Sequence, residues 1–205
     1  MHSVNERMEL HNVTFKRPKL AQSVKSRVFH FTSKICENCN TNLTQSADNG
    51  FERFHRQLVC GLDTLRPKLV DGYVTEGDFF DNTAEEVFRY FAKLLCGFMA
   101  DSNGPRPKSI AAFAIGSASH NPVFLSIRVA DCGSNNPSQV AAHGGLMGLL
   151  DKKQRFVNRL ICSLTLGPVT YEFWVQLRWF ARLELTLFHQ YFLEHCRASV
   201  DGNML

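Results

Sequence analysis

Apolar residues recur at helical spacing over most of the chain, and Gly, Pro and short polar clusters separate the runs. In Phe54–Leu65, FHRQLVCGLDTL, residues Phe54, Leu58, Gly61 or Leu62, and Leu65 make one apolar stripe on a helix of about three turns. Gly61 leaves room there for another backbone, and Asp63 flanks the stripe as its carboxylate. Pro67 stops or bends this helix. Asn82 or Thr83 can cap a second helix, with Glu85 and Glu86 in its first turn. That helix runs from Ala84 to Met99 and carries Val87, Phe88, Phe91, Leu94, Leu95 and Phe98 on a broad apolar face. Residues 100–107, ADSNGPRP, end it.

Residues 109–119 carry no charge; their length and small side chains favour a helix that is apolar all round, the kind found in the middle of a bundle. His120-Asn-Pro122 interrupts it and Val123–Val129 resumes it. After a loop at 132–139, Val140–Leu166 reads as a second long helical region; Gly144-Gly145 weakens its start and Gly167-Pro168 ends it. A last helix is predicted from Tyr171 to Cys196. Its Trp174, Leu177, Phe180, Ala181, Leu187, Phe188 and Tyr191 interleave with Arg178, Arg182, Glu184 and His189. It is too charged to span a bilayer, though its aromatic side suits a membrane surface. At the other end, residues 1–17 read as a flexible polar tail. From Pro18, the residues Leu20, Val24, Val28, Phe31 and Ile35 predict a basic-faced amphipathic helix. The expectation is therefore one all-α domain over 18–205.

Composition adds little to this picture. An apolar fraction of 44%, a charged fraction of 20% and 205 residues describe one globular domain. The net charge of +4 is too mild to call for nucleic acid. The N-terminus lacks the apolar stretch of a signal peptide, and no run of about 18 apolar residues encodes a transmembrane anchor. Seven Cys, an odd number, suit reduced thiols in the cytoplasm better than a disulfide framework. Cys36-Glu-Asn-Cys39 has the spacing of half a zinc site, but no second pair follows to complete it. Such a pair also suits redox chemistry, for which the sequence predicts no strand–turn–helix context, so two unlinked thiols at a helix end is the favoured reading. No metal, cofactor or catalytic residue is expected. The chain has no GxSxG, P-loop, HExxH or suggestive carboxylate pair, and an enzyme is not the expectation.

Three segments in order resemble the Bcl-2 family of apoptosis regulators. Phe54, Leu58, Gly61 and Leu65, with Asp63, resemble its third homology motif; Leu62 stands where the family usually has Gly. Residues 103–118, NGPRPKSIAAFAIGSA, resemble the first motif, with Lys108 or Arg106 at the basic position and Phe113 in the helix that follows. Tyr171-Glu-Phe-Trp-Val-Gln-Leu177 is similar to the second motif, with Tyr171 in place of its Trp and Trp174 and Leu177 following. The resemblance implies a Bcl-2-like bundle of about seven to nine helices around a buried central hairpin. It implies an apolar groove lined by Val87, Phe91, Leu94, Leu95, Arg106, Lys108 and Phe113. This groove would take amphipathic helices of pro-apoptotic relatives, and homo- or heterodimers would form in the same way. The place implied is the cytoplasm, including the surface of the mitochondrial outer membrane. The second expectation is a helical nucleic-acid-binding or capsid-like protein, using the Lys and Arg residues at 16–34 and 151–159.

Overall fold

The computed structural model describes residues 8–10, 19–21, 31, 36–65, 73–74, 84–105, 107–129, 141–150 and 157–194. The all-α expectation is overturned: the chain is α+β, with helices against an antiparallel sheet. The helices are α1 (Gln45–Leu65), α2 (Ala84–Asp101), the short α3 (Lys108–Ala114) and α4 (Trp179–Phe188). Met8–Leu10 (β1) and Lys19–Ala21 (β2) pair as a separate ribbon; β2 falls where the first helix was expected, and most of 22–35 lies outside the described residues. Tyr73–Val74 (β3), Val123–Val129 (β4), Ala141–Leu150 (β5), Val157–Leu166 (β6) and Val169–Gln176 (β7) form one sheet, in the order β3-β4-β7-β6-β5. Where a long helix was expected over Val140–Leu166, the described residues form two strands, Ala141–Leu150 and Val157–Leu166. The helix expected from Tyr171 is a strand as far as Gln176 and helical only from Trp179.

The local chemistry explains these corrections. Val169, Tyr171, Phe173 and Val175 are buried, while Thr170, Glu172 and Trp174 on the other face are not, which is the period of two of a strand. Their outer neighbours Trp174 and Ile161 are apolar as well, so the run also satisfies helical spacing. Gly167-Pro168 does not end a helix. Leu166 pairs with Val169, and Gly167, at φ 56°, is the first residue of a two-residue hairpin turn, a place that favours glycine. Gly144-Gly145 likewise marks a bulge between His143 and Leu146 of β5, with Gly145 at φ 64°. The helix expected over 109–119 lasts only to Ala114, and Gly116, at φ 75°, turns the chain toward β4.

One face of the sheet receives α1 and α2. Phe51, Phe54, Leu58 and Leu62 from α1, with Val87, Phe91 and Leu95 from α2, meet Ile127, Leu160, Cys162, Tyr171 and Phe173 in a single core. The Phe91 ring lies 4.8 Å from Phe173 and 5.4 Å from Tyr171. The two helices also join directly: Phe51 stacks on Tyr90 at 4.0 Å, and Lys93 and Arg53 reach Asp48 and Glu86 at 2.7 and 2.8 Å. Beyond the sheet the chain returns to this core. Phe192 lies against Gly104, where its ring occupies the space a Cβ would need. We expect Phe91→Ala to lower the unfolding free energy by about 3–5 kcal/mol in a denaturant titration, as truncation of a fully packed aromatic does.

Candidate functional site

The residues singled out in the three motifs are distributed as follows. On α1, Phe54 and Leu58 are buried against the sheet, Gly61 is half-buried, and Asp63 is exposed near the helix end, where Leu65 is the last residue. On α2, Val87, Phe91 and Leu95 are fully buried and Leu94 partly so. Phe113 on α3 is also fully buried, while Lys108, the first residue of α3, is exposed; Arg106 lies outside the described residues. Tyr171 and Trp174 lie on β7 three residues apart and therefore on opposite faces of the sheet, and Leu177 is buried just beyond the strand. Residues from all three motifs do converge, since Phe54, Phe91, Phe113 and Tyr171 belong to one core. They meet as packing: of the side chains expected to line an open groove, Val87, Phe91, Leu95 and Phe113 fill that core, Leu94 packs against it, and Lys108 is exposed.

A line of polar groups runs along the edge of this packing. The Tyr171 hydroxyl and His55 Nδ1 are 2.7 Å apart and hydrogen-bonded, with the donor set by the imidazole tautomer. Burial pushes the Tyr171 phenol well above its ordinary pKa, and neighbouring Tyr90 adds to the shift. Tyr90 is raised too, first by burial and then by the Asp48 carboxylate. Asp48 is engaged through both oxygens by Lys93, at 2.7 and 2.9 Å. Burial lowers the pKa of His55, so its imidazole is neutral at pH 7. The arrangement holds α1 to β7 through a hydrogen bond between two neutral groups. Tyr171 itself has no exposed surface.

Open apolar surface lies elsewhere. On the outer face of the sheet Phe124 stacks on Trp174 at 5.8 Å, and the Arg159 guanidinium sits 5.3 Å from the Trp174 ring centre. A larger area is on α4 and on the helical turn 190–194 that follows it. Phe180 (75% exposed), Leu187 (58%), Phe188 (76%) and Tyr191 (73%) project outward, beside Trp179 (62%). Phe180 and Leu187, seven residues apart, share one face of α4, and Tyr191 lies on the helical turn beyond His189. The opposite face holds the segment down through Leu185, Phe192 and Leu193. Glu184 is exposed within the outer stripe. Arg182 is turned back, its Nε donating to the Leu177 carbonyl at 2.8 Å.

The aromatic side of this helix is legible in the sequence. Its exposure is not, because a helix with two apolar faces does not reveal which of them is packed. Among the described residues no group of three His, Cys, Asp or Glu side chains could hold a metal ion, and no helix is long and apolar enough to cross a membrane. The basic residues at 16–34 and 151–159 fall mostly outside the described residues. No family model, curated protein or solved structure matches the chain.

The depressed pKa of His55 sets a pH dependence. The folded state disfavours the imidazolium, so this contribution to stability is complete above pH ~6.5 and is lost as the pH falls through the lowered folded value. Melting temperatures between pH 7 and 5 are expected to fall more steeply for the wild type than for His55→Gln, which keeps a hydrogen-bonding group but cannot titrate.

Proposed function

We propose that the protein acts by binding another protein through the aromatic stripe of α4, supplying the helix in a helix-to-groove contact. The exposure of Phe180, Leu187, Phe188 and Tyr191 on a helix already anchored by its other face carries this reading. With Trp179 these are five side chains, each with about 150 Å² open, and together they offer about 750 Å², near the ~800 Å² per partner of a specific interface. The partner is a protein with an apolar groove and a basic side chain placed to meet Glu184. A second copy of the chain suits the stripe less well, since a two-fold pairing of α4 would bring two Glu184 carboxylates close together in an apolar contact.

The biological role we propose is regulation of programmed cell death, and its support is the resemblance of residues 54–65, 103–118 and 171–177 to three Bcl-2 family motifs. The roles differ from those that the resemblance implies, because this chain presents a helix where a receptor would present a groove. Calorimetric titration against groove-bearing Bcl-2 family receptors tests the proposal. Saturable binding is expected, and Leu187→Glu or Phe188→Glu should each weaken it by about 2 kcal/mol or more, roughly thirtyfold. Glu184→Lys should weaken it less. Heat released only by isolated death-motif peptides would return the groove role to this chain. Silence with every receptor, alongside salt-sensitive binding of random-sequence RNA, would favour the nucleic-acid reading.

A further inference from the structure

The Cys36–Cys39 pair takes no part in the function proposed above. Its two sulfurs are bonded, with the Cα atoms 5.2 Å apart. Cys36 is exposed and Cys39 half-buried. The Cys39 N–H donates to Cys36 Sγ at 3.0 Å. The Asn40 and Thr44 N–H groups donate to the Cys36 and Cys39 carbonyls, both at 3.0 Å, so the pair opens a helical turn that runs directly into α1. The half zinc site considered from the spacing finds no completing ligands among the described residues. The pair is not a staple between distant parts of the fold either. Its loop spans a sequence separation of three, and the stabilisation a disulfide gives through chain entropy is smallest for the shortest loops.

We propose that Cys36 and Cys39 form a thiol–disulfide exchange site, with Cys36 as the attacking sulfur and Cys39 as the resolving one. The oxidising substrate is a small accessible disulfide, of which glutathione disulfide is the simplest. In the reduced pair, the Cys36 thiolate attacks one sulfur of glutathione disulfide. A Cys36–glutathione bond forms, the glutathione S–S bond breaks, and one glutathione thiolate leaves and takes a proton from water. The Cys39 thiolate then attacks Cys36 Sγ, closing the intramolecular disulfide and releasing the second glutathione. Two electrons leave the protein pair and reduce one disulfide to two thiols. Two observations assign the roles. Cys36 is the more exposed residue of the two and so the more accessible to a substrate, and its sulfur also receives a backbone N–H, a contact that favours the thiolate. Arg89, on α2, donates to the Leu43 carbonyl at 3.3 Å at the end of the same turn, so the site sits on an anchored segment.

The test uses the full chain with Cys60→Ser, which removes an exposed thiol on α1 that would otherwise report. The protein is equilibrated in glutathione buffers graded from reducing to oxidising, quenched by alkylation, and read by intact mass and peptide mapping. The pair is expected to pass from dithiol to disulfide within this range. Cys39→Ser should accumulate one glutathione on Cys36, whereas Cys36→Ser should acquire it on Cys39 about tenfold more slowly or worse. A pair that stays fully dithiol or fully disulfide across the whole range overturns the proposal, and this measurement needs no substitution within the pair. Equal rates of adduct formation at the two positions, in variants whose circular dichroism matches the parent, overturn the assignment of Cys36 as the attacking sulfur.

Discussion

A tyrosine without exposed surface is tolerated only if its hydroxyl has a partner, and His55 provides that partner for Tyr171. The bond joins α1 to β7, the strand that lies between β4 and β6 in the sheet. Phe51, Phe54 and Phe91 pack their rings around the same phenol, so its burial brings both long helices onto the sheet. Both bonded groups are neutral, which spares the interior a charge that it could not solvate. The ion pairs Asp48–Lys93 and Arg53–Glu86 then join α1 and α2 at a more exposed level. Register comes from the rings and the one hydrogen bond, with the salt bridges secondary.

Among the described residues, the side chains on the inner face of the sheet that meet α1 and α2 are buried, and the exposed aromatic surface lies on α4. The α4 segment is suited to recognition because its two faces do different work. Leu185, Phe192 and Leu193 hold it to the body of the molecule, with Gly104 making room for the Phe192 ring. Its outer aromatics are thereby presented on a helix that has already been ordered. A partner would not bear the entropy of folding it, which is the advantage of a preorganised anchor set. The Cys36–Cys39 turn lies just ahead of α1 in the chain and is likewise exposed chemistry on an anchored segment.

The sheet is where the reading of periodicity failed, for a physical reason visible at particular residues. Trp174 and Ile161 are apolar on the outer face, while Tyr171, Phe173 and Leu160 are apolar on the inner one. Strands that are apolar on both sides lose their alternation and can be counted as helix. The Gly167-Pro168 pair carried the information needed, since a glycine followed by proline between two apolar runs suits a tight hairpin as well as a helix end. The three motif resemblances drew on residues that are real core positions. Phe54, Phe91, Phe113 and Tyr171 are among the most buried side chains of the chain, and apolar spacing of this kind marks burial whatever element it lies on.

By itself, the sequence determined that 54–65 and 84–99 are helical and where their apolar faces lie, though it showed no sign that α1 begins as early as Gln45. Their 3.6-residue periods are strong and their polar faces well separated, so local patterning suffices. It also showed aromatic residues over 179–191, but it favoured Cys36 and Cys39 as unlinked thiols where the structure bonds them. Tertiary structure alone decided that Ala141–Leu150, Val157–Leu166 and Val169–Gln176 are strands, because strand pairing satisfies backbone groups across residues far apart in the chain. It alone decided that Val87, Phe91, Leu95 and Phe113 fill a core and do not line a groove. The same holds for the choice of which face of α4 is left open: both are apolar, and only the position of the sheet and of Gly104 selects the one that packs.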